Sequence, residues 1–316
     1  MCLPSGNFQD LETCEVNSRI AIIDGNPLVY RADSVSDLTT PQGVRVSGVY
    51  GALDVIQLAV ESLAPTHLFM VWDWKREESW RRYMYPDYKL NREPKTDEER
   101  NARKVFHEQI KLTYKLLHHF PVRQFLQYGM EGDDLAYWIC KRYAQSQTAN
   151  TDKMEYICVT VDRDWLQLVD KSTKVWFSDS QTMVDHHNFQ KVSGCVSVEE
   201  FLLRKSILGD TGDNVKGVRG VGEKTYNKFA NECFTLEDFA SCIPKVDEQI
   251  DEARFSRMLV DLSCFPYTKD LDRHLHEVSL PEPDLAKARK LFEELHFTRF
   301  LSIWKTWTRV FKGLRV

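Results

Sequence analysis

A chain of 316 residues with 42% hydrophobic and 28% charged residues has the composition of an ordinary globular protein, long enough for one large domain or two smaller ones around a real core. No apolar run reaches membrane-spanning length, and the opening Met1-Cys2-Leu3-Pro4-Ser5-Gly6 lacks the basic flank and apolar centre of a secretion signal. The eight cysteines are scattered singly, against a zinc site or disulfide framework and in keeping with a reducing cytosol, while the formal charge of -5 speaks at first sight against a nucleic-acid partner.

In chain order, the apolar run Arg19-Ile20-Ala21-Ile22-Ile23 ends at Asp24-Gly25, and a helical pattern follows over 46–63. A second run, His67-Leu68-Phe69-Met70-Val71-Trp72, ends at Asp73. The charged stretch 75–104 comes next, and within it 80–92 interleaves aromatics with cations. Thr96-Asp97-Glu98-Glu99 has the form of a capping box, and Ala102, Phe106, Ile110, Thr113 and Leu117 continue at helical spacing. A weaker strand candidate, 122–127, leads to Glu131-Gly132-Asp133-Asp134 at the head of a helix reaching about 143, and 145–153 reads as a polar surface loop. The third strong run, Tyr156-Ile157-Cys158-Val159-Thr160-Val161, ends at Asp162, with Asp164 two residues on and another weak strand at 174–177. Short, β-branched or aromatic runs of this kind read as buried parallel strands. From 198 onward the pattern is helical, over 200–208, 223–229, 236–242, 249–262 and 285–295. Strands alternating with helices predict an α/β sheet, here followed by a helical region.

Ligands of open α/β sheets bind beyond the carboxyl ends of the strands. Asp24, Asp73, Asp162 and Asp164 fall there, and Glu131, Asp133 and Asp134 open a helix after the 122–127 strand. Asp210 and Asp213 join them on one face if 209–214 forms a helical turn. Any one of these acids reads equally well as a helix cap or solvated loop end. Nine converging on one edge would repel one another unless cations neutralise them. Carboxylates without histidine or cysteine companions suit Mg²⁺ or Mn²⁺, and two such ions about 4 Å apart form the clamp for in-line displacement at phosphorus. His186-His187 reads as a surface pair.

With the nine acids set aside, the formal charge moves from -5 to +4, so the acidity belongs largely to one site and nucleic acid stays in contention. For Trp80 and Tyr83 a helix face with rings packed inward stands level with a functional role. For Tyr88, Lys89 and Arg92 function is favoured, since Lys and Arg bind phosphates and Tyr stacks on unpaired bases.

The six motifs "IIDGN", "FMVWD", "YPDYKLNR", "MEGDDL", "VTVDRDW" and "GDTGDNVKGVRGVGEKT" occur in this order. Together they resemble the 5′ nuclease, or flap endonuclease, family, closest to the stand-alone bacteriophage 5′-3′ exonucleases. The resemblance covers 19 to about 301. It implies a mostly parallel central sheet flanked by helices (a PIN-like core) over 19–197, after an extension at 1–18. It also implies a helical arch at about 75–120, and a helical duplex-DNA-binding region over 198–316 that carries a glycine-rich helix–loop–helix clamp. By resemblance Asp24, Asp73, Glu131 and Asp133 belong to a first metal site, and Asp162, Asp164, Asp210 and Asp213 to a second, with Asp134 alongside. Tyr88 would stack on a base, Lys89 and Arg92 would hold the scissile phosphate, and Lys205 would face the substrate. Gly217, Gly220, Gly222 and Lys224 would grip duplex backbone, with K⁺ a further expectation at that loop. Thr225 stands where phage relatives often carry a basic residue.

The implied activity is metal-dependent hydrolysis at DNA 5′ ends, flaps and nicks and of RNA–DNA hybrids, leaving 5′-phosphates. The implied setting is a monomer in the cytoplasm, the host's if phage-encoded, working beside a replication polymerase or single-strand-binding protein. The alternatives are a catalytically weak branched-DNA binder, a PIN-type ribonuclease, which would lack the glycine clamp, and a small-molecule phosphatase, which leaves the Tyr88 segment unexplained. The tail 304–312, in a terminal stretch with four cations and no acid from 303 on, reads equally as a DNA contact or as aromatics docked on the body.

Overall fold

The computed structural model describes residues 18–143, 154–266 and 281–315; the expected loop at 145–153 and nearly all of the extension at 1–18 lie outside them. Six strands form one sheet: β1 (Ser18–Asp24), β2 (His67–Trp72), β3 (Val122–Leu126), β4 (Met154–Thr160), β5 (Thr173–Phe177) and β6 (Thr182–Val184). Their order is β3-β2-β1-β4-β5-β6. The first five are parallel and β6 runs antiparallel to β5. The sheet is covered on both faces, so the strands read as continuous apolar runs rather than alternating ones. Ile20 and Ile22 enter one core while Ala21 and Ile23 enter the other, as the two-residue period of a strand requires. The chain leaves β1 towards β2 and β3, then returns to place β4 on the other side of β1. That reversal opens a crevice at the carboxyl ends of β1 and β4.

Both weak strand candidates are strands. Two elements had no expectation in the sequence: β6, too short to show a period, and the helix Gly25–Ser34, which begins directly at the end of β1. The helix Asp97–Leu117 starts with the predicted capping box: Glu99 N–H donates to Thr96 Oγ1, and Glu99 Oε2 accepts from the Thr96 backbone. Of the expected arch at 75–120, the helical parts are this helix, Trp80–Met84, and 3₁₀ turns at Arg76–Glu78 and Leu90–Arg92. The head of the 131–143 helix is α-helical over Gly132–Trp138 and widens to a π turn at Ile139–Tyr143.

One face of the sheet is covered by Gly25–Ser34, Ser47–Leu63, the end of Asp97–Leu117 and the C-terminal segment. The other carries Gly132–Trp138 and parts of Val198–Leu208 and Ile250–Val260. A smaller core of Leu203, Ile207, Val218, Val221, Tyr226 and Phe239 holds the glycine-rich region together. The tail docks on the body. Trp307 is fully buried, with its ring centroid 5.5 Å from that of Phe120, and Phe311 lies 5.0 Å from the same ring. Arg315 N–H donates to the Thr66 carbonyl at the start of β2.

Candidate active site

Asp24 ends the central strand β1 and is 5% exposed, accepting a 2.8 Å hydrogen bond from Thr160 Oγ1 at the end of β4. Asp73 follows β2, and its Oδ1 accepts from Gly132 N–H at 2.7 Å. The two carboxylates flank Gly132. A Cβ there would stand 3.3 Å from Asp73 Oδ1 and 3.6 Å from Asp24 Oδ1, so the helix can start between them only as glycine without crowding. Burial, then the neighbouring Asp73 charge, pushes the Asp24 carboxyl well above the ordinary range. Burial, then Glu131, pushes Asp73 up. Neither makes an ion pair among the described residues.

Glu131 is 5% exposed and accepts from three donors: Lys89 Nζ at 2.7 Å, Arg81 Nη1 at 3.0 Å and the Tyr88 hydroxyl at 3.0 Å. Burial alone would raise it, but Lys89 and Arg81 more than reverse this and hold it below the usual carboxylate range. Asp133, 3.7 Å from Arg81, is raised well above that range by burial, against the pull of Arg81.

Asp162 and Asp164 follow β4, with Asp164 N–H capped by Asp162 Oδ1 at 2.9 Å. Lys205 pairs with Asp164 and, at 2.7 Å, with Asp210. Burial pushes the Asp164 carboxyl up to about 6 although Lys205 lowers it. Asp213 accepts from the Tyr88 hydroxyl at 2.9 Å and from Arg92 at 2.5 Å; burial raises it, but Lys89 and Arg92 bring it below its ordinary value. The Tyr88 hydroxyl touches both Glu131 and Asp213, and Lys89 reaches Asp213 at 3.6 Å. The two expected carboxylate groups are thereby joined into one.

Several expectations need correcting. Tyr88 is 1% exposed; its hydroxyl serves the carboxylates and its ring is core, so it offers no face to a base. Asp134 is fully buried and accepts from Arg81 through both oxygens, from Trp80 Nε1 and from Glu131 N–H. With no exposed surface and four donors from the chain itself, three of them on Oδ2, Asp134 anchors Arg81 and Trp80 rather than facing the crevice. Lys205 points inward between two carboxylates rather than outward. Residues 209–214 form no helical turn. Gly209–Asp210 pairs antiparallel with Val215–Lys216, and Asp210 Oδ1 folds the turn by accepting from Gly212 and Asp213 N–H. The crowded acids are offset in part by the chain's own cations, Arg81, Lys89, Arg92 and Lys205. Among the described residues no three carboxylate, imidazole or thiolate groups stand arranged to hold an ion as the side chains lie. Tyr83, 89% exposed, does not pack inward.

The segment 87–92 is tied to this hairpin. Lys89 N–H donates to the Asp213 carbonyl, Asn91 to Thr211 and Arg92 Nε to Gly212, while Asn214 Nδ2 returns a 2.6 Å bond to Asp87. Lys89 sits at φ 52, a left-handed conformation that costs a non-glycine residue about 1 kcal/mol or more and is held by these ties. Gly217 follows the hairpin directly and packs on Leu208 and Gly209, while Gly220, Gly222 and Lys224 come further along the chain. A Cβ on Gly217 would stand 2.3 Å from the Leu208 carbonyl carbon, whereas one on Gly222 meets nothing.

Arg81 was missed by the sequence reading. It is 1% exposed, donates to Glu131, Asp134 and the Leu259 carbonyl, and thereby ties 80–92, the catalytic edge and the helix Ile250–Val260 together. Its only sequence signal is its place in a run of similar cations, which hides it.

The model of the 5′-3′ exonuclease N-terminal, resolvase-like domain matches residues 19–194. The chain belongs to the 5′-3′ exonuclease family. Within that family it is 28% identical over 301 residues to DNA polymerase I of Caldicellulosiruptor bescii, covering 91% of this chain and 33% of that protein. Against the thermostable DNA polymerase I of Thermus thermophilus it is 27% identical, with the same coverage. The chain thus spans about a third of the length of these relatives. Its fold is similar to that of a bacteriophage T5 5′-exonuclease structure described as having zinc bound (TM-score 0.68, 22% identity, 82% of this chain and 98% of that one). It is similar also to the catalytic core of Rad2 in complex with DNA substrate (TM-score 0.50, 13% identity, 90% and 91%). What these two structures share with the chain is the fold, a mostly parallel sheet flanked by helices. Among the described residues no helix is long and apolar enough to cross a membrane.

Proposed function

We propose that the chain hydrolyses phosphodiester bonds at DNA 5′ ends, as a 5′-3′ exonuclease and 5′-flap endonuclease, with two divalent cations, Mg²⁺ or Mn²⁺, as cofactors. The observation that carries this reading is the Asp24–Asp73 pair. Two carboxylates, Asp24 buried and Asp73 half-buried, flank Gly132 at the ends of adjacent strands, each driven up by desolvation and by a neighbouring negative charge, and neither paired to a lysine or arginine among the described residues. Such a pair is costly unless a cation joins it, and an all-oxygen donor set fits a hard cation.

Asp24, Asp73, Glu131 and Asp133 would hold one ion; Asp162, Asp164, Asp210 and Asp213 would hold the other. Bound there, such ions acidify the attacking water and neutralise charge on the phosphate. The chain's own contribution is positional. Lys89 bridges the two carboxylate groups and Arg92 pairs with Asp213; both would present their charge to the scissile phosphate, where charge develops in the transition state. Gly217, Gly220, Gly222 and Lys224, with the exposed cations Lys216, Arg219 and Lys228, would follow duplex backbone, reading structure rather than sequence. A K⁺ ion at that loop belongs to the same reading. RNA–DNA hybrids are further proposed substrates, and the named relatives support a replication polymerase as partner.

The test is Asp73→Asn and Asp24→Asn, assayed with Mg²⁺ on 5′-labelled flap, nicked-duplex and hybrid substrates. Each should lose on the order of 100-fold or more in turnover while still binding duplex. Cleavage at the wild-type rate by either variant refutes the assignment.

A further inference from the structure

Tyr88, the aromatic that its setting among cations marks for stacking, is buried. Another aromatic pair lies next to the carboxylates. Trp74 directly follows Asp73, and Tyr128 stands three residues before Glu131. Their ring centroids are 5.5 Å apart at 57°, and Tyr128 is 66% exposed. Lys75 Nζ lies 5.8 Å from the Trp74 ring.

The pair is held from behind. Trp74 N–H donates to the Met130 carbonyl at 2.9 Å, Trp80 N–H to the Gly129 carbonyl at 2.9 Å, and Trp74 Nε1 to Glu78 at 2.7 Å. Gly129, at φ 73, makes the left-handed turn that sets Tyr128 above the end of β3. Two loops from adjacent strands are thus locked together, with a wet aromatic ring on a fixed base. Consecutive Cα atoms are about 3.8 Å apart, so this surface begins one residue from a carboxylate of the proposed active site. Burying so large a ring would be favourable, and a nucleobase offers a flat partner of any sequence. Tyr83 is more exposed, but no ring supports it among the described residues.

We propose that Trp74 and Tyr128 form a stacking platform for one unpaired base of the 5′ strand, next to the scissile phosphate. The platform rests on the nuclease reading above and deepens it: it assigns a positioning element that favours substrates with an unpaired nucleotide at the cut.

The test pairs a residue change with a base deletion. Wild type, Tyr128→Leu, Tyr128→Phe and Tyr83→Leu are assayed with Mg²⁺ on flap substrates carrying either a normal nucleotide or an abasic analogue at each position flanking the cut. Wild type should lose about five-fold or more in kcat/KM at one abasic position, the range of a single base–aromatic stack. Tyr128→Leu should cleave the normal substrate as slowly as wild type cleaves the abasic one, and should be insensitive to base removal. Tyr128→Phe and Tyr83→Leu should behave as wild type. Equal sensitivity to base removal in wild type and Tyr128→Leu overturns the platform, as does insensitivity in wild type or transfer of the effect to Tyr83→Leu. If wild type cleaves none of the substrates, the nuclease reading itself fails, which is a different outcome.

Discussion

Replacing Arg81 by methionine keeps most of the side-chain volume and removes the charge. Asp134, fully buried, then loses both of its guanidinium bonds, and Glu131 loses one. Breaking a buried pair from one side costs about 3–5 kcal/mol. Asp134 keeps Trp80 Nε1 and the Glu131 N–H, so the lower end applies. The Leu259 carbonyl, stripped of its donor, adds about 1 kcal/mol. The sum, about 4 kcal/mol, corresponds to about 1.6 M in the urea midpoint at a slope of about 2.5 kcal/mol/M. Adding Asp134→Asn removes the stranded charge, so the double variant should recover about half of the loss. Equilibrium urea unfolding of the four proteins closes the cycle. A single-variant loss below about 1 kcal/mol, or a double variant whose loss is the sum of the two singles, refutes the claim that Arg81 and Asp134 form one buried unit.

Gly217→Ala drives a Cβ into the Leu208 backbone and should cost about 2 kcal/mol or more while displacing Asp210 and Asp213. Gly222→Ala, in open space at a helix N-cap, should cost less than about 1 kcal/mol, and thermal unfolding separates the two. Trp307→Ala empties a fully buried site among Phe120, Phe292 and Phe300 and should lose about 3–5 kcal/mol by denaturant titration. In Glu155, burial raises the carboxyl but Lys174 at 2.6 Å and Arg19 at 2.5 Å bring it below its ordinary 4.5. The unfolded state therefore binds this proton more tightly. The stability gap between wild type and Glu155→Gln should be complete above pH 4.5 and shrink as pH falls through the folded value, measured as urea midpoints against pH.

What the sequence made legible was whatever repeats or ends abruptly. Three apolar runs closing on Asp24, Asp73 and Asp162 announced strands and a site at once, because burial on both faces leaves an uninterrupted run and then a polar stop. Thr96 and Glu99 announced a helix start, because that bonding is local. What stayed hidden depends on partners distant in the chain. Tyr88 and Tyr83 are five residues apart in one aromatic and basic stretch, yet one is core and the other solvent, and only the packing of 80–92 against Glu131 and Asp213 decides which. Arg81 is indistinguishable from Arg82 until Leu259 and Asp134 are placed. Spacing alone suggested a helical turn at 209–214, but Gly209 at φ 80 and Asn214 at φ 57 bend it into a hairpin.

The docked tail also bears on how the protein is made. Trp307 and Phe311 complete a core whose other members include Ile23, Leu63 and Met70, so the first part of this face leaves the ribosome well before its last aromatics. At about 5–20 residues per second, the separation between Leu63 and Trp307 amounts to roughly 12–50 s of translation. For that time one side of the sheet lacks its final cover and is open to chaperones or to sticking. A slow step in completing this face would then be the wait for residues 304–311, set by the tempo of synthesis.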